Sequence, residues 1–270
     1  MRSIRTTHFL IADGRVRPRF PRGRISNELA DHIAAELAPL GLVPDGRAFE
    51  QIFVDAVLAA DPDPVRAWGA FYANTLPRLR RPDRGGTGSI ATFARIYAHA
   101  RSLIRGTVIA DVGCCFGFLP LLLAETDPRL RVIGTDLLPA AAALASRICL
   151  AEGSRARFAA ADVLALPFAD QAVDTVLAVH VLEHLPAAAS APALAQLRRV
   201  ARLRVVIAVP LEELPDPTFG HVQAFSLPAL AALGDAPGWA PTVHAADGGW
   251  LMLDRRRAGR PARSGRQPLS

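Results

Sequence analysis

The chain has 270 residues, 51% of them hydrophobic and 21% charged, with a formal net charge of +6. That balance excludes a disordered chain, and the length suits one sizeable α/β core with an appendage. The basic excess is all arginine and lies at the ends: residues 1–24 hold +6 and residues 254–270 hold +5, leaving −5 for residues 25–253. An acidic body argues against a basic groove for nucleic acid, although the ends suit weak contact with an acidic surface. Cys114, Cys115 and Cys149 are too few and too badly spaced for a disulfide framework or a zinc site, and read as small, buried, reduced residues. No run approaches the ~18 apolar residues of a membrane span, and Phe9–Ala12 is too short for a signal-peptide core. A soluble cytoplasmic protein is expected.

Residues 1–24 bear Arg and Pro without clear periodicity and are expected to be partly loose. Helical stripes follow: Leu29, Ile33, Leu37 and Leu40; then Phe49, Ile52, Phe53, Ala56 and Val57; then Val65, Trp68, Tyr72 and Leu76 after Asp61-Pro-Asp-Pro64. Arg78–Gly86 reads as a loop, and Phe93, Ile96, Tyr97, Ala100 and Ile104 stripe a fourth helix. Aromatic residues at this spacing usually face a core; the alternative is that one or two face a substrate.

From residue 107 strands alternate with helices, the pattern of a mostly parallel sheet. Strands are predicted at 107–112, 131–136, 156–160, 173–179 and 203–209, with helices at 117–126, 139–152, 189–201 and near 227–233. Asp247-Gly248-Gly249, between 241–245 and 250–254, signals a closing hairpin. The organisation expected is a basic segment and helical cap over 1–90, a ligand-binding domain over 91–254, and a disordered basic tail over 255–270.

The first strand of that series ends in Asp111 and runs into a turn with Gly113 and Gly117. Glycine at both places lets backbone approach a ligand that a Cβ would obstruct, at the sheet edge where α/β proteins bind ligands. A dinucleotide fingerprint needs glycine at 113, 115 and 118, where the chain has Gly113, Cys115 and Phe118. The acid-x-G-x-G-x-G pattern of the class I S-adenosylmethionine (SAM) methyltransferases is met at Asp111, Gly113 and Gly117 and missed at Cys115, so the chain resembles that family. Asp136, 23 residues beyond Gly113, ends the next strand, where a carboxylate can accept from both hydroxyls of a ribose. Leu166-Pro-Phe-Ala-Asp through Val181-Leu-Glu-His-Leu185 is similar to a run found across the same superfamily.

The resemblance implies a seven-stranded, mostly parallel Rossmann-like sheet whose last strand is antiparallel, with the helical extension in front. It implies SAM as cofactor, held by Asp111, Gly113, Cys115, Gly117, Asp136 and Leu137. It also implies that Asp162 accepts from the adenine amino group, with the Val163 N–H at the ring. The alternative is that Asp162 is a turn or N-cap aspartate. Methyl transfer is an in-line displacement, and an alcohol acceptor must also lose a proton. His180 and His184 would share one face if 181–185 begins a helical turn, with His180 nearer the cofactor and His184 the first choice of base. Alternatively, His184 ties its loop to a backbone carbonyl. His221 is the second candidate. Glu212, Glu213 and Asp216 have the chemistry to bind sugar hydroxyls or a divalent ion, but no spacing specifies a metal and none is expected.

Asp111–Pro120, Leu214–Val222 and Gly248–Leu251 also resemble the actinobacterial mycofactocin oligosaccharide methyltransferases, which implies a sugar hydroxyl as acceptor. The function expected is O-methylation of a small polar or glycosylated metabolite, with no nucleic-acid partner. A nucleic-acid methyltransferase is opposed by the acidic body and by Ala178-Val-His180 where an Asn/Asp-Pro-Pro-Tyr motif would stand. A non-catalytic scaffold of the same fold has only Cys115 in its favour.

Overall fold

The structure is a computed structural model that describes residues 3–256 except 13, 14, 22 and 84. The N-terminal segment, expected to be loose, instead opens with a small antiparallel sheet of β1 (Ile4–Arg5), β2 (Phe9–Ala12) and β3 (Arg15–Pro18). β2 alternates buried and half-buried residues, and Phe9 is fully buried edge-on to Phe20. The alternation spans only four residues, and the arginines around it hide the period-two signal.

Four helices follow: α1 (Leu29–Glu36), α2 (Gly46–Leu58), α3 (Pro64–Leu79) and α4 (Ser89–Leu103). Asp45 caps α2 by accepting from the Ala48 N–H, and Asp63 caps α3 through Val65, with Pro64 in the first turn. α4 has no cap of its own, because Gly88 has no side chain to offer. Asp31 on α1 does the work, its two carboxylate oxygens accepting from the Ser89 N–H at 3.1 and 2.9 Å.

The second sheet holds β4 (Val108–Val112), β5 (Arg131–Asp136), β6 (Arg157–Ala160), β7 (Val173–Val179), β8 (Ala201–Val209), β9 (Trp239–Ala245) and β10 (Gly249–Arg255). Their order is β6-β5-β4-β7-β8-β10-β9, and β10 runs opposite to the other six strands. The helices between them are α5 (Phe118–Thr126), α6 (Pro139–Ala151), α7 (Ala187–Val200) and α8 (Leu227–Gly234). All of β7 is buried, as a central strand covered on both faces requires. Its Asp174 accepts from Thr107 N, Val108 N and Arg202 Nε at 2.7–3.0 Å, closing the end of the sheet opposite the glycine turn.

Cap and sheet share one apolar core that runs from Phe9 and Ile33 through Phe71 and Leu76 to Phe118 and Leu121. Phe116, from the glycine turn, packs against Phe53, Trp68 and Phe71 with ring centroids 5.1–5.7 Å apart. The expected tail boundary also moves. β10 continues to Arg255, whose guanidinium lies 4.5 Å from the Trp239 ring centroid and donates to Arg198 O and Ala201 O. Residues 257–270 of the proposed tail lie outside the described residues. Among the described residues, no helix is long and apolar enough to cross a membrane.

Candidate active site

The glycine turn sits at the carboxyl ends of β4 and β5. The N–H groups of Gly113 and Cys114 both donate to Thr135 O, at 2.7 and 2.8 Å, and Gly117 N donates to Cys114 O. Gly113, Cys115 and Gly117 have φ of 73°, 47° and 70°. Cys115 therefore keeps the left-handed backbone that glycine would adopt, at a steric cost. Glycine here has a reason besides the expected one. A Cβ on Gly113 would stand 2.6 Å from Val181 Cγ2, and one on Gly117 would stand 2.5 Å from Phe158 Cε1. Protein packing, beyond any ligand, forbids side chains at both positions. Of the three cysteines, Cys114 and Cys149 are buried as expected, but Cys115 is exposed.

Asp136 Oδ2 accepts from Cys115 N at 2.8 Å and Oδ1 from Leu138 N at 3.0 Å, which fixes the carboxylate at the mouth of the turn. The intervening Leu137 is exposed. Asp111 is buried, and burial, followed by the nearby Asp136 charge, pushes its carboxyl up to about 8. Two carboxylates at one turn fit a cationic ligand, since an ammonium or a sulfonium would relieve both effects. Asp162 is exposed in a turn, its Oδ1 accepting from Leu164 N at 2.8 Å, while Val163 is buried.

His180 and His184 do not share a helical face. His180 has φ of 57°, left-handed backbone that a non-glycine residue rarely adopts, and only a short 3₁₀ turn, Leu182–His184, follows. His180 packs edge-on to Phe93 of α4 at 5.3 Å. His184 instead meets His221, their ring centroids 5.1 Å apart. The loops after β7 and β8 are stitched together around them: Val222 N donates to Glu183 O at 2.8 Å, and Gln223 Nε2 to Leu182 O and Leu185 O. His184 Nδ1 lies 3.2 Å from Gly220 O, the loop-tying contact weighed as the alternative. His221 Nδ1 meets both oxygens of Glu212 at 3.0 and 2.9 Å. The sequence offers both residues but not their pairing, because only the bend of the β8 loop brings positions 212 and 221 together. Glu183, fully buried within the same turn, is not among the site residues expected from the sequence.

A groove of about 500 Å³ opens beside His180, between the start of α4, the end of β8 and the β9–β10 turn. Asp31, Ser89, Phe93, His180, Leu211 and Asp247 line it. Asp247 is held there by Arg95, 2.8 Å away. A volume of this size suits a small ligand. A smaller cavity of about 280 Å³, between α4 and α5, holds none of the expected site residues.

Residues 109–203 match the family described as a methyltransferase domain. Over 68 residues the chain is 44% identical to a demethylmenaquinone methyltransferase of Thermus thermophilus; the match covers 25% of this chain and 31% of that relative, so it spans about a third of the relative's length. Two solved structures share the fold at 14% identity and a TM-score of 0.53. A putative SAM-dependent methyltransferase of Methanococcus maripaludis matches over 73% of this chain and 94% of its own length. The PH0226 protein of Pyrococcus horikoshii matches over 65% and 94%. The cofactor of a domain of this kind is SAM. Residues 109–203 are thus similar to a methyltransferase domain, and the sheet that carries them has the class I SAM-dependent methyltransferase fold.

Proposed function

We propose that this protein is a SAM-dependent O-methyltransferase whose acceptor is a small polar or glycosylated metabolite. The observation that carries this reading is the meeting of Asp111 and Asp136 at the turn 113–117. SAM brings an ammonium, a sulfonium and a ribose diol, the groups that two carboxylates at one turn can satisfy. In this reading Asp111 answers the cationic end and Asp136 the ribose, with Gly113, Cys115, Gly117 and Leu137 along the cofactor. Asp162 and the Val163 N–H take the adenine, and His180 stands between cofactor and acceptor.

The sulfonium is already a good leaving group, so the protein chiefly aligns the acceptor with the methyl. The methyl carbon leaves sulfur and bonds to the acceptor oxygen, and the hydroxyl proton must depart. His184 and His221 are the groups assigned to help it leave. The groove beside His180 is the acceptor site, and Asp31, Ser89 and Asp247 in its walls favour a polar acceptor over the quinone named for the Thermus relative. A sugar hydroxyl of the mycofactocin oligosaccharide is the narrowest form of this reading and rests on three short motifs. Nucleic acid is disfavoured by the net −5 of residues 25–253.

Calorimetric titration with SAM tests the assignment. Asp136→Ala should weaken SAM by about 1–3 kcal/mol, the cost of removing a charged hydrogen-bond partner. Unchanged affinity would take Asp136 out of the ribose role, and binding of NADH in place of SAM would sink the reading.

A further inference from the structure

Glu183 is 0% exposed, yet neither of its carboxylate oxygens has a hydrogen bond. His180 Nδ1 comes to 2.9 Å from Oε1 but out of line for hydrogen bonding. A buried carboxylate in that condition is costly unless a cation answers it. Two imidazoles converge on the same place: one side-chain ligand atom each from Glu183, His184 and His221 lie within 4.8 Å of one another. Both imidazoles are oriented from behind. Gly220 O faces Nδ1 of His184, and the Glu212 carboxylate faces Nδ1 of His221, which leaves Nε2 on each ring to act as a ligand. A carbonyl or carboxylate behind the distal nitrogen is the habitual outer shell of a metal-bound histidine.

We propose that Glu183, His184 and His221 bind one divalent transition-metal cation. Two imidazoles and a carboxylate suit zinc or a similar imidazole-binding metal better than calcium or magnesium, which prefer all-oxygen shells. His184 is exposed, so the cation keeps an open position towards solvent. The inference deepens the methyl-transfer reading and rests on it in one respect. An acceptor hydroxyl meeting the cation would lose its proton more readily, so that His184 and His221 would aid proton loss by holding the metal. Cation binding itself requires neither SAM nor acceptor.

The test uses the full chain, stripped with a chelator and dialysed, then titrated with Zn²⁺ by calorimetry and with Co²⁺ by visible absorption. One equivalent should bind with histidine-ligand cobalt bands. Glu183→Gln, His184→Ala and His221→Ala should each weaken it at least tenfold, and Glu212→Gln by about 10–100-fold. His32→Ala is the control, because His8, His32 and Glu36 form a second group, in which Glu36 already accepts from His8 N at 2.9 Å. That variant should keep the equivalent lost in the others. Should Glu183→Gln fail to fold, His184→Ala on the exposed ligand still decides. Absence of binding in the parent, or binding lost in His32→Ala and kept in His184→Ala, overturns the site. SAM titration of the metal-free chain separates the two ideas: loss of SAM binding alone strikes the methyl-transfer reading and leaves the cation site standing.

Discussion

The Tyr72 hydroxyl donates to Phe116 O at 2.7 Å, so a helix of the cap holds the backbone of the turn between β4 and α5. Tyr72 is buried, and burial raises its phenol well above the usual value, so it stays a neutral donor. Tyr72→Phe keeps the packing against Phe71 and Phe118 and removes only this bond. It should lower stability by about 1–3 kcal/mol in urea unfolding, because the Phe116 carbonyl is left without its donor. No loss would mean that packing alone docks the cap.

Cys115 gives a second measurement. Left-handed backbone costs a non-glycine residue roughly 1–2 kcal/mol, and glycine returns about 0.4–1 kcal/mol of that through the freer unfolded chain. Cys115→Gly should therefore be neutral to stabilising by up to about 1.6 kcal/mol and leave SAM affinity within a few-fold. Cys115→Val should be clearly destabilising, since a β-branched residue tolerates this φ least. If valine unfolds no more easily than glycine, the turn does not hold φ at 47° in solution.

Asp111 sets a pH dependence. Its folded-state value of about 8 lies above the usual 3.8, so the native chain keeps a proton that the unfolded chain has released. Stability then falls as pH rises between about 4 and 8, because the unfolded state gains by ionising there. Asp111→Asn removes this group from the balance. Comparing urea unfolding at pH 5 and pH 8, the asparagine variant should gain on the parent at the higher pH. A difference that stays constant across the two would show that Asp111 is ionised in the folded protein throughout.

The sheet was legible because its first three strands are short runs with Asp111, Asp136 and Asp162 at or just beyond their ends, a pattern that survives without tertiary context. The residues proposed for the cofactor could be named for the same reason: they are close in sequence or stand near strand ends. The first strands were hidden because β2 is four residues long among arginines. The histidines were misplaced for a different reason. Their spacing of four suggested a helix, but left-handed backbone at His180 and the bonds from Val222 and Gln223 impose a tight turn instead. Glu183 lies in the run that resembles the superfamily, but nothing local to Val181–Leu185 tells a buried carboxylate from an exposed one.

The groove beside His180 is built almost wholly from outside the segment that matches other methyltransferases. Asp31, Ser89 and Phe93 precede residue 109, Leu211 and Asp247 follow residue 203, and His180 alone falls between. Two proteins could thus agree closely over the matched segment while differing in every other wall of this groove. If the groove takes the acceptor, as proposed, acceptor choice can change through α1, α4 and the β9–β10 turn, with the residues assigned to SAM left untouched.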